Sequence, residues 1–296
     1  MSYIFVIITA ILFTTHEPVS KLIANEINPY ALTAIRFFIG SLICLPFSIH
    51  AIKKKNIKLT VKDILVTGGL GVLMICGSMV LLQNGVKIAD NPALISILFS
   101  ANSIFTIVLS TLFLKTKLTK LKVLGVILCV IGVILSMDIG SGSNALSITF
   151  AILSALIFSV YTILCKKIST KLTSIAQCGI SFFVGSTVLM IILLICGIDI
   201  VGGITLGNLP ELSFLSIIVV GGGYILFFSA LDKGGPHVVA LTYLIKPILT
   251  PFATWIFNGI VPKYTIIIAV ILVAVGAAFS GGAIDNFLNS KKIKKA

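Results

Sequence analysis

The sequence predicts an all-α polytopic membrane protein, with ten transmembrane helices laid out as two inverted five-helix repeats. Three observations lead there. Apolar residues make up 58% of the 296 positions and charged residues only 10%, against roughly 45–50% and ~25% in a soluble domain. The apolar residues are gathered into runs of spanning length. The second half of the chain also repeats the first at a nearly constant offset.

A spanning helix needs about 20 apolar residues, with a range of ~17–25. The runs are Tyr3–Leu22, Tyr30–His50, Ile64–Asn84, Pro92–Phe113, Leu121–Met137, Ser147–Cys165, Leu172–Cys196, Leu212–Leu231, Pro236–Asn258 and Tyr264–Ala283. Short polar turns bearing Gly or Asn separate them and leave no room for a soluble domain. Strands are disfavoured, because an open sheet edge cannot be satisfied in lipid. The first run has no basic segment before it and no small-x-small cleavage site, so it reads as a retained helix rather than a signal peptide.

The charge is +13, from 21 Lys and one Arg against nine acids. Such a balance can signal nucleic acid, but these lysines cluster between the apolar runs and follow the positive-inside pattern instead. With the N-terminus inside, the inner segments hold Lys53, Lys54, Lys55, Lys58, Lys62, then Lys115, Lys117, Lys120, Lys122, and then Lys166, Lys167, Lys171. Lys233 and the tail lysines Lys291, Lys292, Lys294 and Lys295 follow. The outer loops carry Glu26, Asp90, Asp138, Asp199 and Glu211. Both termini are therefore expected in the cytoplasm of a cell inner or plasma membrane.

Ala10–Ser41 laid on Ala155–Ser186, an offset of 145, matches AIRFFIGS to GISFFVGS. Phe13 falls on Phe158, Lys21 on Lys166 and Ala31 on Ala176. Pro92–Ser136 laid on Pro236–Ser280, an offset of 144, matches VILCVIG to VILVAVG and Phe113 to Phe257. This divides the chain into repeats at 1–140 and 145–283, followed by a basic cytoplasmic tail at 284–296. Five helices is an odd number, so the second repeat enters the membrane inverted. Inverted repeats with a site near the midplane are the architecture of secondary transporters.

Ionisable residues at membrane depth are costly and call for a reason. Glu17 and Arg36 each lie eight residues inside their outer helix ends, ~12 Å deep. Equal depth on consecutive antiparallel helices allows a pair, either a purely structural bridge or one opened by substrate or proton. In His16-Glu17-Pro18 the proline frees a carbonyl and should kink the helix. His16 titrates in the physiological range in principle, yet a lone His is more often a packing residue. Lys246 stands ~15 Å deep, beyond the reach of snorkelling. Thr242, Tyr243 and Thr250 share its stripe, and Pro247 and Pro251 are expected to interrupt its helix. A substrate carboxylate or Glu17 is its natural partner, and Asn102 is its counterpart in the first repeat. Gln83, Asn84, Tyr161, Tyr224 and Trp255 could complete a cavity wall. Gly68, Gly69, Gly71, Gly221, Gly222 and Gly223 suit close packing or hinging.

The six cysteines lie in apolar runs with no CxxC spacing, so neither a metal nor a cofactor is expected. No Ser-His-Asp, zinc or paired-carboxylate arrangement supports an enzyme. The glycines Gly68, Gly69 and Gly71 do not make a phosphate loop. The expected partners are a small-molecule substrate and the lipid bilayer, without nucleic acid. A homodimer stays open.

The stretches PVSKLIANEINPYALTAIRFF (Pro18–Phe38), FLKTKLTKLKVLGVILCVIGVIL (Phe113–Leu135) and YLIKPILTPFATWIFNG (Tyr243–Gly259) resemble the EamA-type transporters of the drug/metabolite transporter superfamily. The resemblance covers essentially the whole chain. It implies export or import of amino acids, metabolites or drugs, at a site lined by helices one, three, four, six, eight and nine. With no nucleotide-binding motif in the chain, an ATP-independent exporter or exchanger of amino acids or related small metabolites, working by alternating access, is expected. A lipid flippase or a non-transporting sensor are the alternatives. The chain departs from the pattern at three places. Lys115-Thr116-Lys117 and Gly259-Ile260-Val261 replace the acidic hairpin motif, Ser103 replaces a helix-four proline, and Lys246 replaces a glutamate.

Overall fold

A computed structural model of the chain describes residues 2–115, 119–136, 144–168, 171–234 and 236–280. Within them every regular element is helical, in ten stretches. We label these α1 (Ser2–Thr14 continued by His16–Ile23), α2 (Pro29–Lys54), α3 (Val61–Val72, a π-helical Leu73–Met79, then Val80–Ile88) and α4 (Pro92–Phe99 and Asn102–Leu114). They continue as α5 (Lys120–Ser136), α6 (Ala145–Lys167), α7 (Ser174–Ile195), α8 (Leu209–Ser213, a π-helical Phe214–Gly222, then Gly223–Gly234), α9 (Pro236–Asn258) and α10 (Tyr264–Ser280). Seven of them are long and apolar enough to cross a membrane. The other three, α5, α9 and α10, stand where the fifth, ninth and tenth runs are predicted. The predicted tail at 284–296, Asp138 and Ser103's side chain lie outside the described residues.

Local chemistry explains the helix ends and breaks. Pro29 and Pro92 open α2 and α4 at the first turn, where a missing N–H costs nothing, behind the asparagine caps Asn28 and Asn91. Thr60 and Asp63 form a reciprocal capping box at the start of α3. The predicted interruption of the first helix is present. Thr15 N–H reaches back only to the Leu12 carbonyl at 3.2 Å, and the helix resumes at His16. In α9 the expectation needs correcting, because the helix runs unbroken through Pro247 and Pro251. The break falls in α4 instead, at 100–101, within a run read as continuous.

Close crossings are made by small residues. The strongest pairings join α2 to α7 and α5 to α10. α3 packs on α7 and α6, α2 on α8, α1 on α8 and α9, and α4 on α6. A Cβ on Gly71 would lie 2.0 Å from the Ser181 carbonyl oxygen, and one on Gly185 would lie 2.5 Å from that of Gly71. These glycines let α3 and α7 touch backbone to backbone. Gly69, by contrast, faces open space. Between α2 and α7, Phe37 meets Phe182 edge to face at 5.1 Å and Phe38 stacks on Phe183 at 5.8 Å. The buried core runs through these crossings.

Candidate functional site

The proline break in α1 turns two consecutive side chains, His16 and Glu17, into the interior, both buried. Lys246, from the middle of α9, donates to Glu17 Oε1 at 2.6 Å. Its ammonium also sits over the Phe99 ring, 5.6 Å from the centroid. Thr250, one turn on, donates to the Lys246 carbonyl at 2.7 Å and meets Ser96 of α4 at 3.2 Å.

On the far side of Glu17, His16 Nδ1 lies 3.6 Å from Oε1. Its Nε2 is in contact with Arg36 Nη1. A guanidinium has donors only, so Nε2 must be the acceptor, which makes His16 neutral with its proton on Nδ1. Arg36 Nη1 also donates to Gln83 Oε1 at 2.8 Å and approaches Ser20 Oγ at 3.4 Å. The result is one buried polar chain, Lys246–Glu17–His16–Arg36–Gln83, spanning α9, α1, α2 and α3.

This corrects the expected Glu17–Arg36 bridge. Among the described residues the two form no ion pair, because Lys246 reaches the carboxylate directly while His16 and Gln83 hold the guanidinium. The other predicted residues separate. Tyr224 lines a cavity of ≈ 50 Å³ together with His16, Lys246, Phe13, Phe37 and Phe99. That is room for a few water molecules. Tyr161 packs on Phe158, another wall residue, with ring centroids 5.8 Å apart. Asn102 is buried, and its carbonyl accepts from Ser159 at 2.8 Å. Asn84 returns its amide to the Val80 carbonyl at 2.8 Å, a local bond away from the cavity. Trp255 is 53% exposed on the outer face of α9 and is not part of the wall. Thr242 is buried, and the side chain of Tyr243 lies outside the described residues. Tyr224 is the expected aromatic of the wall, whereas Phe13, Phe37, Phe99 and Phe158 were not anticipated there, although the Phe13–Phe158 match at the offset of 145 was their signal.

The class is that of a polytopic helical membrane protein with an ionic cluster buried among its helices. The sequence profile of the EamA-like transporter family matches twice, over residues 1–137 and 145–282, and the chain belongs to that family, whose members are membrane transporters. An uncharacterized transporter of Clostridium kluyveri is 30% identical over 98% of this chain and 94% of its own. The uncharacterized transporter YvbV of Bacillus subtilis is 26% identical over 83% and 80%. A solved crystal structure superposes with a TM-score of 0.67 over 94% of this chain and 96% of that one, at 18% identity, a likeness of fold alone.

Proposed function

We propose that the chain is an ATP-independent secondary transporter of small polar metabolites, amino acids or their relatives among them, working by alternating access between two inverted five-helix halves. The observation that carries this is the Lys246–Glu17 ion pair, since it ties α9 to α1 beside a cavity at mid-depth. A link between halves that can open for a solute is what alternating access requires.

Support for ten spans in two related halves comes from residues that touch their own repeat partners. Phe37 meets Phe182 and Phe38 meets Phe183, each at the offset of 145. Cys129 donates to the carbonyl of Val273, its partner at the offset of 144. Both π-helical stretches lie in the third helix of a half. Contacts of this kind arise when a twofold axis passes between α2 and α7 and again between α5 and α10. The lysine pattern supports cytoplasmic termini. An impermeant thiol reagent on intact cells should then reach a single cysteine placed at position 143 and miss one at position 56.

A sensor that only holds its own shape would have every buried polar group paired internally. Arg36 Nε and Nη2 have no hydrogen-bond partner among the described residues, which favours a site that receives something. Purified protein in liposomes should move a small carboxylate- or amine-bearing solute without ATP. Silence across a broad solute panel, with labelled lipid crossing between leaflets, would replace this reading with a flippase.

A further inference from the structure

The buried chain of side chains is out of charge balance. It contains two cations, Lys246 and Arg36, and one anion, Glu17, while His16 is neutral by the donor reasoning above. The other described acids, Glu26, Asp63, Asp90, Asp199, Glu211 and Asp232, lie at helix ends or in loops. Lys246 holds Glu17 at 2.6 Å, so Arg36 is the surplus charge. A cation fully enclosed at membrane depth calls for a counter-ion.

Unmet donors gather at the same place. Arg36 Nε, Arg36 Nη2 and Gln83 Nε2 are buried with no hydrogen-bond partner among the described residues. Both side chains have a relative exposure of 0%. The 2.8 Å bond from Arg36 Nη1 to Gln83 Oε1 joins the two into one unit. Nε and Nη2 form one edge of the guanidinium, the edge that grips a carboxylate with two parallel bonds. Charge balance and hydrogen-bond satisfaction thus ask for the same kind of ligand.

The geometry points to an anion-binding site at Arg36 and Gln83, behind the cavity wall between α1, α2 and α3, that takes the carboxylate of a small solute. Three wall residues, His16, Phe37 and Leu82, adjoin it in space or in sequence. A solute in the cavity needs only to part them to present its acid to the guanidinium. This deepens the transporter reading and rests on it for the identity of the solute. It also changes the division of labour expected from sequence. Lys246 is the cross-helix partner of Glu17, and Arg36 is the group left to recognise an anion.

The test is thermal melting of the purified full-length protein in detergent, titrated with acetate, L-alanine or chloride, with ionic strength held by a bulky sulfonate buffer. Acetate and L-alanine should raise the melting temperature to a plateau. Gln83→Leu should shift the half-saturating concentration upward about 10-fold or more, through loss of a bond to a charged group. Gln83→Glu should melt higher than the unliganded parent and lose the anion response, because its own carboxylate supplies the missing charge. A response to chloride alone would overturn the carboxylate assignment in favour of an inorganic ion. Water molecules satisfying the three donors would give no anion response at all and a Gln83→Glu variant that melts lower, and that result sinks the site. The measurement needs no transport, so silent liposomes with an intact acetate response would overturn the transporter reading alone.

Discussion

In one corner of the molecule α1, α2, α3 and α9 assemble His16, Glu17, Arg36, Gln83 and Lys246. At the offsets of 144–145, the matching positions on α6, α7, α8 and α4 are Tyr161, Thr162, Ser181, Phe228 and Asn102. The helix crossings correspond: α1 on α8 and α9 in the first corner, α6 on α3 and α4 in the second. The chemistry does not. Where Arg36 holds a buried charge, Ser181 donates to the Thr67 carbonyl at 3.2 Å. Where Glu17 grips Lys246 across helices, Thr162 only bonds back to Phe158 within α6 at 2.8 Å. Packing needs small residues and aromatics in both corners, so both retain them. Charge at membrane depth is costly, and at these matching positions it stands in one corner only. The difference singles out the corner on which the proposed transport rests.

The largest expected effect breaks that contrast at its strongest contact. Glu17→Gln leaves the Lys246 ammonium and the Arg36 guanidinium without any buried anion, and about 3–5 kcal/mol of stability should be lost. Thr162→Val, at the matching position, should cost under about 1 kcal/mol, because only a local hydroxyl bond goes. Combining Glu17→Gln with Lys246→Met removes one ion of each sign and should recover most of the loss, read as a double-mutant cycle in melting temperature. Equal melting of the two single variants would mean that the ion pair does not set the corners apart.

A middle-sized effect tests the backbone crossings beneath the chemistry. Gly71 and Gly40 sit at related crossings, α3 on α7 and α2 on α8. A Cβ on Gly71 would meet a backbone oxygen at 2.0 Å, whereas one on Gly40 meets first the Val220 side chain at 2.4 Å. Backbone cannot step aside without moving the helix, while a side chain can adjust in part. Gly71→Ala should therefore cost ~1–3 kcal/mol, and Gly40→Ala less, in reversible unfolding by denaturant. Gly69→Ala, which faces open space, is the neutral control. The reverse ranking would show that α2 on α8 is the tighter crossing.

Much of this was legible in the chain. The apolar runs follow from the order of residue types along the chain, and Glu17, Arg36 and Lys246 stand out because ionisable residues in such runs are rare. Counting residues along a helix gives depth, so the three were placed at compatible levels. It does not give rotation about the axis, which depends on how neighbours pack, and so the partner of Glu17 was not determined. Rotation is also why Trp255 was read toward the cavity when it faces outward. The π-helical stretches in α3 and α8 were hidden for another reason. They arise within Gly-bearing segments whose composition suits an α-helix equally well, and a one-residue widening leaves no mark on hydropathy. Gln83 was only one of several polar residues until Arg36 was seen to donate to it.

The smallest expected effect compares two hydroxyls at the offset of 145. Ser154 of α6 donates to the Ser78 carbonyl at 2.8 Å while Ser78 donates to the Ser154 carbonyl at 2.9 Å, and the two hydroxyls lie 3.0 Å apart. The matching residues are Thr9 of α1 and Gly223 of α8. Glycine has no hydroxyl to answer with, and a Cβ there would lie 2.8 Å from the Phe13 ring. Thr9 is fully buried, and its Oγ1 has no partner among the described residues. Ser154→Ala removes a bond across helices, which in membrane proteins is worth about 0.6 kcal/mol on average. Thr9→Val keeps the shape and deletes a hydroxyl that gains nothing by being there, so its effect should be near zero or slightly stabilising. Melting curves of the two variants in the same detergent would decide, since opposite or clearly unequal shifts are expected. Equal losses would mean that Thr9 has found an acceptor and that the polar contacts of the two corners are more alike than their charges.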